Sequence, residues 1–178
     1  MASLIESIEY GIGILGGFAR LCLLALVGLV ATDVLLRYFF SISPVGLQEL
    51  EWHLLSPIAL LGISYALKHR ADVRVDVIYD RLPDGGKQLI DLISGTLTVV
   101  IALAITWLSW PYVMQSFHLA EGSPDPGGLP YRYLLKAFIP LGFVALALQG
   151  LADLLRAVLA LSGIPVPASP TAPDQPNA

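Results

Sequence analysis

Glu49 and Glu51 stand at the start of an apolar stretch, and carboxylates at the edge of hydrocarbon are groups that proton or cation transport can use. Two residues apart on a helix they point in different directions, which argues against one shared ion site. The other readings are charge stabilisation in a first helical turn and contact with a partner protein. Asp33 and Arg37 are four apart and share a helix face, the spacing of a structural ion pair that lowers the cost of both charges. Arg74 and Asp76 lie in the most polar stretch of the chain, as a solvated feature or an anchor against a neighbouring subunit. His53, His69 and His118 lack metal-ligand spacing, and no phosphate loop, HExxH or nucleophile elbow is present. A haem held by paired histidines fits them poorly, since all three fall near predicted helix ends or in loops. Cys22 is the one cysteine, so it allows no internal disulfide and no multi-cysteine metal site. No catalytic set emerges, and the chain does not read as an enzyme.

The elements that must position these residues are membrane spans. Of 178 residues, 56% are hydrophobic and 13% charged, against about 25% charged in a soluble domain. The runs Leu21 to Thr32 and Leu92 to Tyr112 contain no Lys, Arg, Asp or Glu. A span needs roughly 20 apolar residues for about 30 Å of hydrocarbon. The formal charge of -4 leaves no basic surface for nucleic acid. Glu6 and Glu9 precede the first apolar run, unlike the positive opening of a cleaved secretory signal, so that run is expected to be retained.

The fold expected is an all-α integral membrane protein of four tilted transmembrane helices. The first covers about Ile12 to Phe39, with Arg20, Asp33 and Arg37 toward its ends. Ser41 to Gln48 is a tight connection, and the second helix runs from about Leu47 to Lys68, with Glu49 and Glu51 in its first turn. Residues 69–87 form a polar loop, extended by the alternation of Val73, Val75 and Val77 or a short interfacial helix through Ile78 and Leu82. The third helix spans about Gln88 to Val113, ending near Pro111. Trp107, Trp110 and Tyr112 on it, and Tyr131 at the start of the fourth, suit the water–lipid boundary. The loop Ser116 to Pro130 is rich in Pro and Gly. The fourth helix follows from about Tyr131 to Leu161, completing a membrane domain over 1–163. Residues 164–178 form a proline-rich tail expected to be disordered. Lys68, Arg70, Arg74, Arg81 and Lys87 flank the second connection, which the positive-inside rule places in the cytoplasm together with both termini.

The order of four motifs, DVLLRYFF at 33–40, LQELEWHLL at 47–55, GISYALKHRADVRVDVIYDRLP at 62–83 and GGLPYRYLLKAFIPLGFVAL at 127–146, resembles the small membrane subunit of tripartite ATP-independent periplasmic (TRAP) transporters, the DctQ-like small-permease family. The resemblance covers most of the chain before the tail. It implies a scaffold in a bacterial inner membrane, beside a large subunit that carries the substrate and sodium sites. It also implies an extracytoplasmic solute-binding protein that delivers an organic anion, often a carboxylate. By the same likeness Arg37, Glu49, Glu51, Arg74 and Asp76 are candidate contacts with the binding protein or the large subunit. No cofactor is implied for this chain itself, and membrane lipids surround it. The rival readings are a self-contained small transporter or channel and an unrelated membrane assembly protein.

Overall fold

The structure, a computed structural model, describes residues 1–71 and 82–162. Among them the chain forms four helices and no strand: α1 (Ala2–Phe40), α2 (Val45–Lys68), α3 (Asp84–His118) and α4 (Arg132–Leu161). Each is long and apolar enough to cross a membrane. Arg74 and Asp76, the question of an extended or interfacial segment around them, and the tail all lie outside the described residues.

Helix boundaries differ from those expected in three places. The first helix begins at Ala2, ten residues before Ile12, and its 39 residues extend about 58 Å. Glu6 and Glu9 broke the apolar pattern there, but Glu9 has a buried partner described below. The second helix begins at Val45, behind an extended Pro44, so Glu49 and Glu51 fall beyond its first turn. The third helix begins at Asp84, inside the polar loop expected over 69–87, and runs through Pro111 to His118. A proline interrupts one backbone hydrogen bond, which membrane helices tolerate, and Pro57 and Pro140 likewise lie within α2 and α4.

The helices are arranged as two antiparallel hairpins joined along α4. The most extensive packing is α3 on α4, followed by α1 on α2, α2 on α4 and α1 on α4. Small residues make these contacts close, as in membrane bundles where van der Waals packing replaces the hydrophobic effect. A Cβ on Gly142 would come within 2.7 Å of the Leu60 Cβ and 2.9 Å of its carbonyl oxygen. Gly150 faces Thr98 at 2.8 Å, and Gly95 faces the Leu154 backbone at 3.2 Å. Ala102, Ala145, Ala152 and Ala157 are buried, whereas Leu24, Val27, Leu103 and Leu108 are exposed. Such an inside-small, outside-large distribution suits a lipid environment. Between α2 and α3 runs an apolar groove of about 760 Å³, walled by Ile63, Leu67, Ile93 and Leu97 and floored by Leu146.

The packing pairs also set the depth of each residue. Gly16 lies against the Tyr65 ring, and a Cβ on Gly13 would lie 3.2 Å from the Lys68 ammonium. Because α1 and α2 are antiparallel, one turn beyond Gly16 brings Arg20 level with Leu61. Leu61 lies roughly 18 Å from Glu49 and about 10 Å from Lys68 along α2. Arg20 therefore stands near the middle of α1 and not near an end, because α1 begins ten residues earlier than its apolar pattern indicates.

Substitution of Gly142 by Leu should lower the thermal midpoint of the purified chain in detergent, at a cost of about 1–3 kcal/mol, because the opposing Leu60 backbone cannot move aside. Gly62 faces open space, and Gly62→Leu should stay within about 0.5 kcal/mol of the parent. Equal melting of the two variants, followed by circular dichroism, would contradict close α2–α4 packing.

Candidate functional site

Charged side chains gather at both ends of the bundle. At the end bearing the amino terminus, Glu9 of α1 forms an ion pair with Arg156 of α4, both side chains less than a tenth exposed. Asp153 lies 3.4 Å from Arg156 and 3.4 Å from the amide of Gln149, which is fully buried. Lys68 of α2 donates to the Glu9 backbone carbonyl at 2.8 Å. Three helices thus meet on one polar cluster. Leaving one member of such a pair buried alone typically costs about 3–5 kcal/mol.

At the opposite end, the Glu49 carboxylate is buried and accepts hydrogen bonds from the Ser123 hydroxyl and from the Leu129 backbone N–H at 2.5 Å. The loop is folded to reach it. Ser123 N–H donates to the Leu129 carbonyl at 3.0 Å and Gly128 N–H to the Asp125 carbonyl at 3.0 Å. Gly127 has φ +83°, and a Cβ on Gly128 would lie 2.8 Å from a Glu49 carboxylate oxygen and would collide with Ser123. The Gly127–Gly128 pair is what allows the loop to close over the acid.

A second clasp lies beside the first. Glu121 accepts from the Ser116 hydroxyl and pairs with Lys136, whose ammonium sits 4.1 Å from the centre of the Tyr112 ring. Lys136 first, and then Ser116, hold the Glu121 carboxyl below its ordinary range. Tyr133 meets Phe117 edge-on at 5.2 Å, and Tyr131 packs on Tyr133 at 5.9 Å. Tyr131 takes a left-handed backbone, φ 66°, at the turn into α4.

The residues singled out from sequence are distributed among these places. Asp33 and Arg37 pair with each other; Asp33 is buried and its second carboxylate oxygen has no hydrogen-bond partner among the described residues. Glu51 is half-buried and does not join Glu49. Trp110 and Tyr112 are exposed toward the loop end of α3, while Trp107 lies about 8 Å deeper than Tyr112. His53 bonds the Glu49 carbonyl at 2.7 Å, and His69 stacks on Tyr65 at the other end of α2. Along α2 those two rings are about 24 Å apart, too far to clasp one haem.

Arg20 has no acidic counterpart among the described residues. It is exposed, its guanidinium lies 5.4 Å from the Tyr65 ring centre, and no carboxylate pairs with it among the described residues. An arginine at the centre of a spanning helix costs about 2.5–3.5 kcal/mol on insertion scales. The Glu9–Arg156 cluster and the role of Glu49 were missed from sequence. Glu9 and Arg156 carried a signal as charges next to apolar runs, and Gly127–Gly128 signalled a tight loop.

Comparison with known proteins agrees with this architecture. The sequence profile of the family described as Tripartite ATP-independent periplasmic transporters, DctQ component, matches residues 26–160, which include all of α2, α3 and the loop that Glu49 holds. The chain belongs to this family. This DctQ-component chain is 26% identical to the ectoine TRAP transporter small permease protein TeaB of Halomonas elongata, over 66% of this chain and 60% of TeaB. It is also 26% identical to the isethionate TRAP transporter permease protein DctMQ of Oleidesulfovibrio alaskensis, over 74% of this chain and 21% of DctMQ. It therefore spans less than two thirds of the length of either relative. Membership makes it a multi-pass membrane protein of a transport system.

Replacing Glu9 by Gln strands the Arg156 charge, and thermal unfolding in detergent should report a loss of about 3–5 kcal/mol. The double variant Glu9→Met with Arg156→Met should recover most of it. Equal destabilisation by the single and double variants would contradict a coupled pair. Glu121 titrates the other clasp. Since its folded pKa is depressed, its stabilisation is present above the ordinary carboxylate value and is lost as pH falls below about 4. Limited proteolysis of the 119–131 loop should accelerate over that window in the parent. In Glu121→Gln it should already be fast at neutral pH.

Proposed function

We propose that this chain is the small scaffold subunit of a sodium-coupled TRAP permease in a bacterial inner membrane, supporting a large transport subunit in the uptake of an organic anion, with a carboxylate as the expected class.

The observation that carries this reading is the use to which the charges are put. Glu9 is joined to Arg156, Glu49 to the loop backbone, Glu121 to Lys136 and Asp33 to Arg37. The first three hold one part of the bundle to another, which is what a scaffold needs, and the fourth neutralises a charge within α1. A carrier instead keeps polar groups aimed at a path near the middle of the membrane. The sodium and substrate sites would then belong to the large subunit. The names of the relatives concern ectoine and isethionate, both small organic solutes, and the match to a fifth of DctMQ is what a small subunit joined to a larger permease would give.

The basic residues Lys68, Arg70 and Lys87 near the second connection support an orientation with both termini in the cytoplasm. The Glu49 and Glu121 clasps then face the extracytoplasmic side. There they would present a fixed loop, with Pro124 to Gly127 exposed at its tip, to an arriving solute-binding protein. Glu49 would act on docking by shaping that loop, and Glu51 and Arg37 remain available for direct contact.

Uptake of labelled solute into proteoliposomes tests the assignment. Large subunit, binding protein and this chain together should transport under an inward sodium gradient, and omission of this chain should abolish uptake. Full uptake without it, or solute flux through this chain alone, would refute the scaffold role.

A further inference from the structure

We propose that the face of α1 around Arg20 receives a transmembrane helix of the large permease subunit, and that Arg20 pairs with an aspartate or glutamate on that helix. The proposal deepens the function given above and rests on it.

Three observations converge on this face. The Arg20 guanidinium is exposed and, among the described residues, meets no carboxylate, only the Tyr65 ring. Tyr65 lies level with Gly16, and the Lys68 ammonium level with Gly13, so the guanidinium stops about one helical turn short of the depth of Lys68. The cation thus sits inward of the Lys68 end of the bundle, where an unpaired charge is costly if the helices span as proposed, and Arg is the side chain suited to a two-pronged bond with a carboxylate. The surface beside it is shaped for a helix. Gly17, Leu21, Leu24 and Gly28 follow one another at intervals of four, three and four residues, and so line one face. Leu21 and Leu24 are exposed, and nothing lies within 4 Å of a Cβ built on Gly17 or Gly28. Leucines framed by open glycines admit a second helix to close backbone approach.

Charge complementarity selects the occupant. A lipid acyl chain can fill the space at Gly17 and Gly28 but offers nothing to the guanidinium, and a lipid phosphate belongs at the depth of Lys68. An acidic side chain on a neighbouring helix satisfies the charge where it stands. Arg37, Lys136 and Arg156 each have a carboxylate partner inside the chain, whereas Arg20 meets none among the described residues and is open to pairing between subunits.

The test is copurification of the affinity-tagged chain with the cognate large subunit, together with photocrosslinking. Arg20→Gln and Gly17→Leu should each lower recovery of the large subunit by about tenfold, the effect of 1.4 kcal/mol. The helical content and melting of the variant chains alone should not change. A photoreactive residue at Leu21 of the otherwise unaltered chain should link to the large subunit, and one at Leu103 on α3 should not. Full recovery with both substitutions, or linkage from Leu103 in place of Leu21, overturns the proposal. Retention of the large subunit by Arg20→Gln with loss of copurified anionic phospholipid, read by mass spectrometry, assigns the charge to a lipid and also overturns it. Failure of the unaltered chain to bind the large subunit at all sinks the scaffold reading along with it, which separates that result from a misplaced face.

Discussion

Glu9 and Arg156 are both closed off from solvent, and neither could be so without the other. Removing a charge from water costs several kcal/mol even after the protein relaxes, so the two must enter together and stay together. Their pairing forces the first helix against the last. Once it is made, Ile5 and Ile12 are buried along the same side of α1, and Ala152 and Leu159 along α4. Lys68 then brings α2 to the same point through the Glu9 carbonyl. The position of three helices follows from one ion pair and the small residues that let their backbones approach it.

The opposite end is organised by the same requirement with different chemistry. Glu49 is stabilised mainly by the loop, which turns a hydroxyl and a backbone N–H onto its carboxylate. The polar loop is thereby tied to the top of α2, and Glu121 with Lys136 ties it to α4. A chain fastened at both ends by side chains from different helices is well suited to hold a fixed shape, as the proposed scaffold role requires.

Much of this was legible in the sequence, and the exceptions have a common cause. Four spans, the Pro- and Gly-rich loop and the Asp33–Arg37 spacing depend on neighbours within a few residues, and local patterns record them well. The beginning of α1 does not. Glu6 and Glu9 look like the polar approach to a span, because the arginine that lets Glu9 be buried is 147 positions away (156 − 9). The place of Arg20 along α1 was misread for the same reason, since the helix starts at Ala2 and not at Ile12. Glu49 and Glu51 looked alike by type and location. Only the fold of residues 123–129 over one of them separates their roles.

The sequence distance between Glu9 and Arg156 also orders the birth of the molecule. During synthesis the α1–α2 hairpin is complete long before the ribosome reaches position 156, and throughout that interval the guanidinium that Glu9 pairs with in the folded chain is absent. The amino-terminal turns of α1 must then remain in the aqueous headgroup layer, since the acid cannot enter hydrocarbon unaccompanied. Only the arrival of α4 draws them in. The last helix to be made is thus the one that completes the first, and a chain cut short before Arg156 would leave an exposed acidic end by which quality control in the membrane could recognise it.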